Sequence, residues 1–351
     1  MQKVGSAPLV AIVTPVYNGA TYLGETMENV QSLDYPNLVH VVLDNASSDA
    51  TPEIIQQYAN RGVPILAVRN GATLPMETNW SKAVDLIPKE AKYFWLLCAD
   101  DTLATHAIKR TVDVAEGDPS VVLVGSLWRT DNAVVGEELP SGQMIFEGKD
   151  ILRSYLRREH AALAGMNKLV RCSMIDAGRP YYGHNGIVMS TDTEANMRAC
   201  LRGNFGFVHE ELYHWRSHAE SMTMKVSRDM RLFEADWPLL LDRYGPYVLG
   251  YREYRECRRR FRRYLLRRIL LVRLQGGDQR TFAWHMDLLR KRGDPAKLQD
   301  FAGAFLEWCY LFLTGRRHLV GRPGQQETEV VSGVVENFSS HAPKGGNFRA
   351  S

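Results

Sequence analysis

Residues 9–23 read LVAIVTPVYNGATYL. The run Leu9–Thr14 is short, apolar and rich in β-branched side chains, and it breaks at Pro15, Asn18 and Gly19, as a strand does on leaving a sheet. Thr21–Leu33 then carries apolar residues near helical spacing. The same alternation recurs. LVHVVL (Leu38–Leu43) precedes a helix over Pro52–Ala59, with Thr51 as the expected N-cap and Pro52 at the first helical position. PILAV (Pro64–Val68) precedes Glu77–Leu86, and YFWLL (Tyr93–Leu97) closes the series. Strand and helix alternating through short connections predict an α/β fold with a mostly parallel sheet flanked by helices. In such sheets ligands collect where the strands end at their carboxyl side.

Farther along, VVLVGSLW (Val121–Trp128) reads as a strand, Asp131–Gly142 as a loop or hairpin, and KDILRSYLRR (149–158) as a helix. Gly203–His218 contains a strand that runs into a polar and aromatic cluster. From about Met224 to Gly321 the pattern is helical and rich in arginine, most densely over Tyr251–Gln275, and from Arg322 the chain turns to Gly, Ser, Pro, Asn and Gln. Three regions follow: residues 1–223 as the sheet domain, 224–321 as a basic helical extension, and 322–351 as a disordered tail.

With 351 residues, 45% hydrophobic and 24% charged, the chain has the composition of an ordinary globular protein, and a net charge of +3 selects no partner. Five scattered cysteines without a CxxC pair argue against a zinc site or a disulfide framework and suit a reducing compartment. No signal-peptide pattern and no apolar stretch of the roughly 18–20 residues that a span needs are present, so a cytoplasmic location is expected.

Polar clusters follow three of the strands: Thr14-Pro15-Val16-Tyr17-Asn18-Gly19, Asp44-Asn45-Ala46-Ser47-Ser48-Asp49, and Ala99-Asp100-Asp101. No GxGxxG or GxxxxGK[ST] loop follows any of them, so neither glycine-rich phosphate cradle is available. Two adjacent carboxylates at the end of an apolar run repel each other and are costly to bury, which calls for a positive partner. Mg²⁺ or Mn²⁺ on one or two carboxylates, with phosphate oxygens completing its shell, is the physical substitute for a glycine-rich cradle.

Taken in order, TPVYNGATYL, VVLDNASSDAT and LLCADDTL resemble the inverting glycosyltransferases of family two, which have the GT-A (nucleotide-diphospho-sugar transferase) fold. NKLVRCSMIDAGRP, STDTEANMRA and FGFVHEELYHWRSHAESMT continue the resemblance, which covers roughly residues 8–223. It implies transfer of a sugar from a nucleotide diphosphate sugar to an acceptor hydroxyl, with inversion and a divalent metal, Mn or Mg, in bacterial surface polysaccharide or glycan synthesis. It implies that Asp44 reads the nucleotide base, that Thr14, Pro15, Tyr17 and Asn18 form the loop against base and ribose, and that Asp100 touches the ribose. Asp101 first, with Asp100 nearby, is assigned to the metal on the diphosphate, and His218 or Arg216 to the metal or the phosphates. Asp192 matches the general base that takes the acceptor proton, with Glu194 as fallback because Thr191 stands where the family often has glutamate. Cys98 stands where the family's acidic motif often begins with aspartate, and a thiol is a poor ligand for hard ions. A donor carrying UDP, TDP or GDP suits Asp44, and the acceptor is a glycan or a lipid-linked sugar.

Plainer readings compete. Asp100-Asp101 and Asp192 can be helix caps, DNASSDAT a turn of Asx and Ser hydrogen bonds, Asn79 a cap, Tyr17 core filler, and His218, His184 and Asn185 structural or loop residues. The arginine-rich helix can be a solvated face. Yet Leu265, Leu266, Ile269, Leu270, Val272 and Leu274 interleave with arginines as on a helix lying on an anionic membrane, to which Phe305–Leu313 adds apolar surface. Nucleic acid is not expected, since no binding motif accompanies the stripe. The rival from another class is a non-catalytic nucleotide-sugar-binding or scaffold protein of the same fold, favoured by Cys98 and Thr191.

Overall fold

A computed structural model of the chain describes residues 7–130, 133–183, 186–187, 189–218, 221, 232–274 and 279–314. The expected disordered tail, His184 and Asn185 lie outside these residues, as does the segment around the expected boundary at 223.

The first four strands form where the apolar runs predict them: β1 (Val10–Val16), β2 (Leu38–Asp44), β3 (Ile65–Arg69) and β4 (Tyr93–Leu96). They pair in parallel in the order β3-β2-β1-β4. Every residue of β1 is buried, which explains a run that never alternates with polar residues: both faces of the strand are covered. Each Val or Ile sealed there contributes roughly 1.5–3 kcal/mol. Helices α1 (Leu23–Gln31), α2 (Thr51–Gln57) and α3 (Met76–Asp85) fill the connections. The N-cap of α2 is Ala50 rather than Thr51, which moves the proline one place into the helix. Asp49 takes over the capping, its Oδ1 accepting the Thr51 N–H at 3.1 Å and the Thr51 hydroxyl at 2.6 Å.

Beyond β4 the sheet continues through β9 (Lys168–Arg171), β6 (Val121–Arg129), β10 (Asn204–His214) and β5 (Thr102–Leu103). Strand β9 is antiparallel to both β4 and β6, while β10 is parallel to β6. Strands β1, β2, β3, β4, β6 and β10 therefore share one direction and β9 alone among the long central strands opposes them. Two further short strands, β7 (Val134–Val135) on β6 and β8 (Ile145–Phe146) on β10, complete a ten-stranded mixed sheet. The first of these makes the stretch after β6 a hairpin. Helices α4 (Ala107–Gly117), α5 (Gly148–Arg157) and α6 (Thr191–Cys200) cover this half.

The C-terminal helices are α7 (Leu232–Val248), α8 (Tyr251–Leu274), α9 (Gln279–Lys291) and α10 (Leu298–Leu313). The apolar stripe of α8 does not lie open to a membrane, contrary to the expectation from its spacing. Leu265, Leu266 and Ile269 are buried with Leu289 and Ala304 in a small core of their own, leaving Leu274 exposed at the end; the Val272 side chain lies outside those described. An amphipathic stripe predicts that something covers it, and here the neighbouring helices do.

Candidate functional site

Because six strands share a direction, the ends of β1, β2 and β4 open onto one edge. The loops after β1 and β2 are sewn together there. The N–H groups of Asn18, Gly19 and Ala20 donate to Ser47 Oγ at 2.8 Å, Thr51 Oγ1 at 2.9 Å and Asp49 Oδ2 at 3.0 Å, and Ser48 N–H returns a bond to Asn18 Oδ1 at 2.8 Å. Asn18 and Ala46 both hold left-handed backbone, at φ of 47° and 60°. An alanine there costs roughly 1–2 kcal/mol and is kept by the surrounding bonds. The consequence for ligand binding is direct. Three successive loop amides ahead of α1 are already engaged and offer no free N–H to a ligand.

Thr14 is fully buried, with its hydroxyl 2.9 Å from His40 Nε2 inside the sheet, and burial pushes His40 down to about 3. Its side chain serves the fold, and only its backbone belongs to the edge. Pro15 pairs in register with Leu43. Tyr17, by contrast, is 53% exposed at the mouth of the cleft, which excludes core filler. Asp44 closes β2 as a buried carboxylate, accepting Ser47 N–H at 2.9 Å and pairing with Arg69 at 2.8 Å. Arg69 stands at the end of β3, the one strand end of the four whose polar residues the sequence reading passes over. Beside it Asn70 Nδ2 donates to Asn45 Oδ1 at 2.9 Å and Asn79 Oδ1 at 2.8 Å, a buried network that ties β2, β3 and α3 behind the cleft. Asn79 is thus a network member and not a cap, since Pro75 occupies the cap of α3.

The paired acids divide their work. Asp101 is 1% exposed, and its oxygens accept the Tyr213 hydroxyl and, at 2.8 Å, the Arg216 N–H. Pairing of β5 with β10, Leu103 opposite Tyr213, brings these groups together from distant parts of the chain. Burial, and then the Asp100 charge, raise its carboxyl well above the usual range. Asp100 is less enclosed and faces His218, whose Nε2 lies 2.8 Å from its Oδ2. His218 packs on Tyr22 with ring centroids 4.5 Å apart, and Arg216 lies over the same ring while pairing with Glu25 at 2.7 Å. The loop after β10 is therefore docked on the start of α1.

Donor atoms of Cys98, Asp100 and Asp101 lie within 4.8 Å of one another. A divalent ion fits this corner through the carboxylate of Asp100. Asp101 accepts a protein donor on each oxygen and is the more enclosed of the two. His218 Nδ1 is buried with no partner among the described residues, so ligation through Nε2 would leave an unsatisfied Nδ1–H, at a cost of roughly 1–3 kcal/mol. Its geometry suits steadying Asp100 better than holding the ion. Cys98 is partly buried, and burial together with the negative charges of Asp101, Asp100 and Asp192 pushes its thiol well up. It stays a neutral thiol where a hard ion would want an oxygen.

Asp192 opens α6, and its Oδ1 accepts the Thr193 N–H at 2.6 Å. Burial raises its carboxyl, against a lowering pull from Lys168. Its charge contributes to the upward push on both the Cys98 thiol and the Tyr182 hydroxyl. Glu194, two residues on, is engaged elsewhere. It is 2% exposed and bound to the Tyr244 hydroxyl, with Arg243 at 3.4 Å, both on α7. The fallback base is thus a joint between α6 and α7. Tyr182, which the sequence does not single out, lines a groove of about 630 Å³ with Ser81, Lys82 and Arg179 between α3 and the 178–183 loop.

Residues 11–178 match the family described as Glycosyl transferase family 2. EpsH of Bacillus subtilis, a glycosyltransferase by designation, is 24% identical over 245 residues, covering 65% of this chain and 66% of that protein. TuaG of the same organism, designated for teichuronic acid biosynthesis, is 37% identical over 51 residues, 14% of this chain and 20% of its own length. This chain thus spans less than two thirds of either relative. Among solved structures, S. aureus TarS 1–349 in complex with UDP-GlcNAc superposes with a TM-score of 0.55 at 13% identity, covering 72% of this chain and 71% of that one. The mannosyltransferase PcManGT of Pyrobaculum calidifontis, in complex with GDP-Man and Mn²⁺, gives 0.53 at 13% identity over 96% and 91%. At such identities these likenesses speak for the GT-A fold alone.

Proposed function

From the membership of residues 11–178 in glycosyl transferase family 2, we propose that this chain transfers a sugar from a nucleotide diphosphate sugar to an acceptor hydroxyl, with inversion and a divalent metal. The observation that carries the proposal is that Asp44 closes β2 and Asp100 follows β4, parallel strands that put both at one edge of the sheet, beside loop amides that are already engaged. Asp44, held by Arg69 and Ser47, accepts a ring N–H of uracil, thymine or guanine, and Tyr17 packs on the base beside Pro15 and Asn18. Asp100 holds Mn²⁺ or Mg²⁺ with the diphosphate, steadied by His218 and backed by Asp101, an order that reverses the one expected from sequence. The metal supplies positive charge to the departing diphosphate.

Asp192 takes the acceptor proton. A carboxyl raised by burial is a better proton acceptor than an exposed one, and the Thr193 N–H and the Lys168 charge pull in the other direction. The designation of TuaG for teichuronic acid biosynthesis supports a setting in bacterial polysaccharide synthesis; a glycan or lipid-linked acceptor at the inner face of the cell membrane is our reading of that setting. The non-catalytic alternative keeps one observation in its favour, the neutral Cys98 thiol within the acid corner. A panel of UDP-, TDP- and GDP-sugars with Mn²⁺ and simple glycan acceptors decides between them. Product whose anomeric configuration, read by NMR, is opposite to that of the donor supports the enzyme; no turnover and no nucleotide release with any donor leaves only the binding protein.

A further inference from the structure

The C-terminal half of α10 leaves much of its apolar side-chain surface exposed. Its first half packs in the helical bundle through Phe301 and Ala304, but Phe305, Leu306, Trp308, Tyr310, Phe312 and Leu313 are between 39% and 83% exposed. They form two stripes. Phe305, Trp308 and Phe312 stack along one, with ring centroids 5.9 and 5.7 Å apart, and Leu306, Tyr310 and Leu313 run along another about 100° around the helix. A helix that is apolar over so much of its circumference is covered by something.

We infer that this end of α10 beds into the headgroup layer of an anionic lipid bilayer and docks the protein there. The inference deepens the membrane part of the proposed function and replaces the α8 stripe, which is spent inside the bundle. Two observations choose lipid over a protein groove. A groove accepts one stripe, whereas both stripes are exposed here. The charge balance is also positive: Glu307, the one acid of Phe305–Leu313, is matched by Arg263 at 2.9 Å, Arg267 at 3.3 Å and Arg259 at 3.8 Å, of which Arg259 and Arg263 keep side-chain surface open to solvent. Arginines flanking aromatic rings with polar tips are the composition of an interfacial helix. Phe305–Leu313 rises roughly 13 Å, far short of a hydrocarbon core of about 30 Å, and no helix among the described residues is long and apolar enough to cross a membrane. Docking is therefore interfacial.

The test is co-sedimentation of the full chain with vesicles of phosphatidylcholine alone or mixed with phosphatidylglycerol, for wild type and the double variant Leu306→Glu, Trp308→Ser. Both positions are exposed, so the bundle core is left intact. Wild type should sediment with the anionic vesicles, release as salt rises, and ignore phosphatidylcholine; the variant should partition roughly ten-fold less or lower. Calorimetric binding of nucleotide with Mn²⁺ should be the same in both proteins, so loss of docking and failure of the donor-site reading are told apart. Equal sedimentation of the two proteins, or none with anionic vesicles, overturns the inference. So does a dimer in analytical ultracentrifugation that the same substitutions abolish without any vesicle binding, since the face would then belong to a second copy.

Discussion

Tyr213 donates its hydroxyl to Asp101 in the interior, and the Arg216 N–H meets the same carboxylate at 2.8 Å. The second acid of the pair is thereby an anchor for the strand β10 and the loop after it, and the first, Asp100, is the one presented to the cleft. The two adjacent acids are each met by their own protein partners, Asp101 by Tyr213 and the Arg216 N–H, and Asp100 by His218.

Asp101→Ala should therefore destabilise the fold by about 2–4 kcal/mol, because it strands a buried hydroxyl and a buried amide. Asp100→Ala should shift stability by less than about 1 kcal/mol while abolishing metal-dependent nucleotide binding. Denaturant unfolding of the two variants beside a nucleotide titration separates an anchor from a ligand.

Asp192 makes a prediction in pH. Its carboxyl is raised by burial, so the folded state holds the proton more tightly than the unfolded chain does. Activity should fall as pH drops through that raised value, because the base is lost. The sign for stability is opposite to that of a salt-bridged acid: the cost of ionising Asp192 develops as pH rises from the unfolded value through the folded one, and persists at neutral pH. Asp192→Asn should then lower kcat by roughly 10²–10⁴-fold, remove this acid limb from the profile, and unfold at slightly higher temperature at pH 7. Loss of activity through misfolding would bring the opposite shift in unfolding temperature.

Glu194 should behave in the reverse manner. Glu194→Ala leaves Arg243, Arg198 and the Tyr244 hydroxyl without their buried acceptor and should cost about 3–5 kcal/mol. At a temperature where the variant is folded, its kcat should stay within about threefold of wild type. A kcat loss matching that of Asp192→Asn would make Glu194 the base after all.

Cys98→Asp adds a third carboxylate to a corner where donor atoms already lie within 4.8 Å. Without metal the added repulsion should lower the unfolding temperature; with saturating Mn²⁺ it should be recovered or exceeded, since only the folded state binds the ion. Thermal unfolding with and without Mn²⁺ reads both effects in one experiment. An Mn²⁺-induced rise no larger than that of wild type would remove Cys98 from the metal corner.

Much of this was legible in the residues. The runs at β1 to β4 and the polar clusters after them are local signals, and the structure puts those clusters at one edge of the parallel strands. The rest depends on contacts that no window of sequence contains. Strand β9 is four residues long, and its reversed direction follows only from the partners on either side. The division between Asp100 and Asp101 is set by Tyr213 and Arg216, which β5–β10 pairing brings in from more than a hundred positions away. Helix α4 carried a readable signal, Ile108, Val112 and Ala115 at helical spacing, and was missed beside a less regular stretch. The stripe on α8 was read in the right register but with the wrong partner, because spacing shows that a face is buried and never against what.

The most direct test of the account is calorimetric titration of UDP, TDP, GDP and CMP into wild type and Asp100→Asn, with Mn²⁺ and with chelator. The account predicts that one nucleoside diphosphate binds wild type only with Mn²⁺, that binding is lost in Asp100→Asn, and that the variant unfolds at the wild-type temperature. Nucleotide binding that is unchanged by chelator and by Asp100→Asn, or no binding to wild type at all, would contradict it.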